Sequence, residues 1–282
     1  DQSLKNRSSI TLTNTNVTRK GNSRNANVTG LNISMFDKAN NYNLTASAKY
    51  SNIYGNQGNY DGYKTDLNGG KVSGKWRWNT GINIESDKYD PNDLGFLQNN
   101  NSIEQFALAS LNYNKPTKKY LSHSFNISYR NTYLYKPFKW NSFEVGSNAF
   151  FLFKNFWDIN FKLNAHPVNF YDFFEARTPG LKLNKFAYVF LGTGGSSDSR
   201  KKLYGSWFVG IAESKVKNDG YKTIKLNTRY RFNDKFQLNA SFERNIDKGQ
   251  WGFSHRDTIS TLVSGYNDPI IAFRTVRTNN IV

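Results

Sequence analysis

Three aspartates, Asp87, Asp90 and Asp93, fall within one short run, and clustered carboxylates are what a divalent cation such as Ca²⁺ takes as oxygen ligands. Their spacing has no EF-hand regularity, and Asp90-Pro91-Asn92-Asp93 is equally a turn whose proline and asparagine set the backbone. A cation site and a plain turn both stand as readings of this segment. His123, His166 and His255 lie far apart, and none has a histidine four residues on to share a zinc ion. Ser254, His255 and Asp257 are close in sequence, yet successive residues of a strand point to opposite faces and cannot converge as a triad. The absence of cysteine removes thiol catalysis and thiolate metal sites. Gly192-Thr193-Gly194-Gly195-Ser196-Ser197 lacks the Lys-Ser/Thr ending of a phosphate loop and reads as a flexible turn. No nucleophile, base and orienting group come together, so an enzyme is not expected and no cofactor is implied.

The formal net charge is +17, but the basic residues are scattered rather than clustered, which argues against nucleic acid as a partner. Lys49, Arg77, Arg130, Lys162, Lys225, Arg229 and Arg231 fall on the polar side of alternating segments. They would make a lumen that favours anions, or pair with Glu85, Glu104, Asp158 and Glu243 on neighbouring strands; both readings stay open. The aromatic stretch from His166 to Phe174 reads as a long loop that constricts a lumen, touches a partner or ligand, or packs on its own rim.

The elements that would position these residues announce themselves by alternation. Tyr42, Leu44, Ala46, Ala48 and Tyr50 alternate with Asn43, Thr45, Ser47 and Lys49. Trp76, Trp78, Ile82 and Ile84 alternate with Arg77, Asn79, Asn83 and Glu85, and the same period of two recurs around Phe125, Phe161, Leu226 and Leu238. No segment carries a helical stripe. The segments run roughly 10 to 14 residues, long for soluble sheets and suited to tilted strands in a bilayer, and about fifteen of them are expected. Their connections sort into two sets. One is tight: 38–41, 73–75, 114–120, 154–156 and 233–235. The other is longer, at 54–62, 88–102, 166–182 and 245–256, with short members near Lys136 and Val216. Trp76, Trp78, Trp157 and Phe236 should then mark a girdle at the tight-turn end, and Tyr129, Tyr133 and Tyr135 one at the other.

Composition agrees with this pattern. Mean hydropathy is low, at −0.70, yet aromatics make up 16% of residues; disordered chains are polar and poor in aromatics. A transmembrane barrel accounts for both, with one face of each strand in lipid and the other in water. The expected fold is all-β, an antiparallel transmembrane β-barrel of which residues 1–282 form part. The segment 273–282 reads as a strand barely begun, so further chain or another chain is expected to close the sheet. No export signal precedes Asp1, which implies a mature or partial sequence.

Two segments carry a family resemblance: Tyr89-Asp90-Pro91-Asn92-Asp93-Leu94-Gly95-Phe96-Leu97 and Phe273-Arg274-Thr275-Val276-Arg277-Thr278-Asn279-Asn280. Together they resemble Bacteroidota outer-membrane proteins of unassigned function, in which a carbohydrate-binding family nine-like β-sandwich precedes a C-terminal barrel. Thr275 stands where that family usually has an acidic residue. The resemblance implies that this chain lies within the barrel region and lacks the sandwich. The expected location is a bacterial outer membrane, with lipid and other outer-membrane or periplasmic proteins as partners. The expected role is solute passage or membership of a larger assembly. A membrane anchor presenting a glycan-binding domain and a soluble all-β binding protein are the alternatives.

Overall fold

The computed structural model describes residues 1–21, 23–55, 58–93, 99–178, 180–216, 219–256 and 269–281. Among them are strands and no helix. The chain divides into two compact units, Asp1–Ser110 with Ser128–Ser142, and Leu111–Ile127 with Phe143–Val282.

The first unit holds β1 (Gln2–Ser3), β2 (Ser9–Val17), β3 (Asn25–Phe36), β4 (Tyr42–Tyr54), β5 (Tyr60–Lys71), β6 (Trp76–Glu85) and most of β7 (Ser102–Tyr113). It also takes the parts of β8 (Tyr120–Leu134) and β9 (Lys139–Phe153) that flank their connection. The second unit has the rest of β8 and β9, then β10 (Asp158–His166), β11 (Phe170–Asp172), β12 (Leu183–Lys185), β13 (Tyr188–Ser196), β14 (Leu203–Ser214), β15 (Gly220–Arg231), β16 (Gln237–Arg256) and β17 (Pro269–Ile281). Fifteen strands form one antiparallel sheet in chain order, and β11 pairs with β12 as a separate two-stranded ribbon. The expected strand number is thus met. The ladder order begins at β1 and ends at β17, and no pairing joins those two among the described residues.

The ladders place like with like. Leu44 lies opposite Met35 and Gly69, and Ala46 opposite Ile33 and Leu67, while Lys49 faces Gly30 and Lys64 on the other side of the same strands. In the second unit Phe161 is flanked by Ala149 and Thr193, and Leu163 by Ser147 and Leu191. Each unit therefore has one apolar and one polar sheet face, as the pleat requires of period-two sequences. The apolar face is bare: Leu44 is 48% exposed, Ile127 63%, Phe161 48% and Leu191 53%. Phe125 is likewise exposed and Ile82 half-exposed.

Tight turns close one end. At β3–β4 the Asp37 carboxylate accepts from the backbone N–H groups of Asn41 (2.6 Å) and Tyr42 (2.7 Å), and Asn40 takes φ 55°, which asparagine tolerates. Trp76 and Trp78 in the first unit, and Trp157 and Phe236 in the second, stand exposed beside tight turns. At the other end Tyr129 is exposed, Tyr133 stacks on Phe138 at 5.1 Å, and the hydroxyls of Tyr135 and Tyr63 lie 2.7 Å apart.

Three expectations are corrected. Residues 245–256 are strand rather than loop: β16 continues to Arg256, paired with β17. Register shifts at Asp247/Gln250 and Phe253/His255 break the alternation there, because a bulge reverses which face the following residues occupy. The same ladder makes β17 a full strand from Pro269, not one barely begun at 273. Gly192 to Ser196 lie in β13, not in a flexible turn. Gly192 and Gly194 are covered on the polar face by rings. A Cβ on Gly192 would come within 2.7 Å of the Phe208 ring and 3.0 Å of the Phe190 ring, and one on Gly210 within 2.6 Å of Phe190. The Phe190 and Phe208 rings sit at 6.4 Å, near parallel, and fill the space that side chains would take.

G192V should therefore destabilise the second unit by about 1–3 kcal/mol through overpacking. G205A, whose added Cβ meets nothing nearer than 3.8 Å, should be close to neutral. Chemical-denaturation midpoints of the two variants check this, and equal midpoints would contradict the ring-over-glycine packing.

Candidate functional site

In the first unit the aspartate-rich connection between β6 and β7 folds back over the polar face. Gly62, on the polar side of β5, makes room: a side chain there would run into the Lys88–Tyr89 backbone. Tyr89 is buried in consequence, above fully buried Ser51 and Ile53. The Asp90 N–H donates to Ser51 Oγ at 3.0 Å, and Asn100 Nδ2 donates to the carbonyls of Asp87 and Tyr89 at 3.0 and 2.9 Å. Two arginines from the β2–β3 connection hold the acidic side chains. Arg24 reaches Asp90 Oδ2 at 3.2 Å and Asp93 Oδ2 at 2.8 Å, and Arg19 reaches Asp93 Oδ1 at 2.7 Å. The Tyr60 hydroxyl donates to Asp90 at 2.7 Å.

These contacts decide how the aspartates are used. Asp90 and Asp93 converge, but on guanidinium groups, which supply the positive charge that a cation would. Asp87 contributes its backbone oxygen to Asn100, and its carboxylate does not join the pair. No group of three or more acidic or histidine side chains suited to a metal occurs among the described residues. Leu94 to Leu97 of the resemblance segment lie outside them. Burial pushes the Asp90 carboxyl up, but the Asn92 backbone N–H, the Tyr60 hydroxyl and Arg24 outweigh it and hold the pKa below its ordinary value.

The seven basic residues singled out on the polar side divide by partner. Arg130 Nε lies 3.0 Å from Glu104, which also accepts from Asn83 Nδ2 at 3.3 Å, and Lys225 lies 2.7 Å from Glu243. Arg229 donates to the Ser199 carbonyl and lies over the Tyr204 ring at 5.1 Å, and Arg77 Nε donates to the Gly74 carbonyl at 3.2 Å. Lys49, Lys162 and Arg231 make no ion pair among the described residues. Glu85 pairs with Lys64, which alternation places on the same face, and Asp158 with Ser196.

The aromatic stretch after β10 packs on its own sheet end. His166 stacks on Phe170 at 4.2 Å and lies 5.0 Å from Tyr188, its ladder partner. The ribbon β11–β12 follows, with Lys182 over the Tyr171 ring at 3.5 Å. Beyond β11, Glu175 accepts the Phe253 N–H at 2.8 Å. His123 is stacked on Tyr113 at 4.3 Å. Ser254 and His255 lie in β16, while Asp257 and the His255 side chain lie outside the described residues. A concavity of about 550 Å³ opens on the apolar face among Ala149, Phe161, Leu163, Leu191 and Val209. Ser147, Thr193 and Lys162 also line it.

Arg19, Arg24, Tyr60 and Ser51 were not legible as site residues. The one local signal was Gly62, a residue without a side chain where the polar alternation of β5 calls for one.

An antiparallel meander with a bare apolar face, and with a polar face partly covered by its own connections, defines a two-faced all-β sheet protein. Over residues 1–281 the chain matches the family described as Domain of unknown function (DUF5916), and it belongs to that family. No curated protein and no solved structure matches it.

The lowered pKa of Asp90 makes the seating of the 86–93 connection pH-dependent. Its contribution is full above the ordinary value of 3.8 and is lost as pH falls through the lowered folded value. Pepsin cleavage in this connection should accelerate across that interval in the native chain and show no such step in D90N. R24A should loosen the connection at neutral pH by about 1 kcal/mol, since the arginine is partly exposed. An unchanged neutral-pH proteolysis rate in R24A would contradict the latch.

Proposed function

We propose that this chain is part of a transmembrane β-barrel of a bacterial outer membrane, whose polar, basic face lines a passage for anionic solutes. One observation carries the reading. Along strand after strand, large apolar side chains stand exposed on one face while polar side chains hydrogen-bond to one another on the opposite face. In water an apolar face of this extent promotes association; in hydrocarbon it is matched by its surroundings. The length of β4, 13 residues, and of β8 and β9, 15 residues each, suits tilted strands crossing a bilayer. Exposed tryptophans near one end of β6 and β10 suit the lipid–water boundary. Lys49 and Lys162, on the polar face and without an ion pair among the described residues, would bias the passage toward anions.

A second reading rests on a different observation. The 86–93 connection, seated on the polar face of the first unit, takes up interior space. A barrel filled in this way serves as an anchor or as a subunit of a larger outer-membrane assembly, holding a glycan-binding domain of the kind the family resemblance implies. Conductance separates the two readings.

Leu163 and Leu191 are ladder partners on the apolar face. L163R and L191R should each reduce folding into lipid vesicles by about 2–4 kcal/mol if they lie near the bilayer midplane, and by less near an interface. Release of the unaltered protein into detergent-free buffer as a folded species would overturn the membrane reading. In planar bilayers, anion-selective conductance that declines in K49Q/K162Q supports passage; a silent bilayer with folded protein favours the anchor.

A further inference from the structure

The basic residues of the second unit are not evenly spread. Four tight turns follow one another along one end of its sheet: 114–119, 154–157, 197–202 and 232–236. Backbone hydrogen bonds and a cation–π contact join them in sequence. The Lys154 N–H donates to the Lys119 carbonyl at 3.2 Å, the Arg200 guanidinium lies 3.2 Å over the Phe156 ring, and the Arg231 N–H donates to the Lys202 carbonyl at 2.8 Å. Lys118, Lys119, Lys154, Lys201, Lys202 and Lys235 stand exposed along this row, and none makes an ion pair among the described residues.

The acidic residues of the same row are largely committed. Asp158 is held by Ser196, and Asp198 by two hydrogen bonds from Arg200, at 2.9 and 2.8 Å, which keep its pKa at about 2. Asp234 is the exposed exception. The opposite end of the unit mixes both signs, with Lys182, Lys185 and Lys215 beside Asp172, Glu175, Glu213 and Asp219. Directly against the lysine row stand exposed rings, Phe156, Trp157, Phe232 and Phe236. Phe156 holds φ 63°, a conformation rare for an aromatic, in the turn that sets its ring under Arg200.

We propose that this row of lysines is a docking surface for the phosphates of anionic phospholipid headgroups, with the adjoining rings seated at the acyl boundary beneath them. The inference rests on the transmembrane reading and extends it: it names the lipid class held at the tight-turn rim. The physical basis is the pairing of flexible ammonium groups with an aromatic belt at one depth. Lysine attracts phosphate as a point charge and reaches outward on its apolar stem, while the rings fix the level of the interface. An anionic headgroup fits such a rim better than a zwitterionic one because the uncompensated charge on the protein is positive at every position but Asp234.

The test reconstitutes the full chain in vesicles of phosphatidylcholine alone and of phosphatidylcholine with one quarter phosphatidylglycerol, then measures by native mass spectrometry which lipids stay bound. Phosphatidylglycerol should be enriched on the protein by roughly tenfold over its bulk share, and enrichment should fall with added salt. K118Q/K119Q/K201Q/K202Q should lose that enrichment while protease protection shows the same degree of insertion, and K182Q/K215Q at the opposite end should keep it. No enrichment in the unaltered chain, or enrichment unchanged in the fourfold variant, overturns the rim. Failure to insert into either vesicle overturns the membrane reading itself, a distinct result.

Discussion

A pleated strand sends successive side chains to opposite faces, and a ladder of backbone hydrogen bonds fixes which residues of the next strand continue each face. That constraint underlies the rest of this molecule. Leu163 meets Leu191, which meets Ile211, and on the reverse side Lys162 meets Gly192, which meets Gly210. A slip of one residue in any ladder would bring the two chemistries onto one face. Register is held by side chains as well as by backbone: Ser47 donates to Asp66 at 2.6 Å, and Lys64 pairs with Glu85 across adjacent strands of the polar face.

The two units fill their polar faces by different means. The first uses ions and chain. Carboxylates and cations neutralise each other across strands, and the 86–93 connection is drawn in by two arginines and by the space left at Gly62. The second uses rings and absent side chains. Phe190 and Phe208 lie over Gly192, Gly194 and Gly210, and Phe190 is 6.4 Å from Tyr221. A glycine within a strand ordinarily weakens it; here the neighbouring ring restores the missing contact.

The connections sort by end because an antiparallel meander returns to the same side at every second turn. Turns such as 37–41 are closed by their own short side chains and need nothing else. The longer connections exchange partners with the sheet: the Asp90 N–H donates to Ser51 Oγ, and the Glu175 carboxylate accepts the Phe253 N–H of β16.

Alternation and turn composition were local properties, so the sequence by itself determined that the chain is an antiparallel meander, which face the side chains of its regular strands take and which connections are tight. It also placed Arg130 and Lys225 on a face where Glu104 and Glu243 were available. Tertiary structure decided what depends on contacts between distant residues. Arg24 and Asp93 are far apart in the chain, and nothing local to either announces that they meet; hence the latch that holds Asp90 and Asp93 was not legible. Bulges in β16 broke the period that would have revealed it as one strand, and rings contributed by β13 and β14 turned a glycine run that reads as flexible into ordered sheet. Periodicity records what each residue does for its own strand, whereas a side chain's partner is set by how the backbone folds back upon itself.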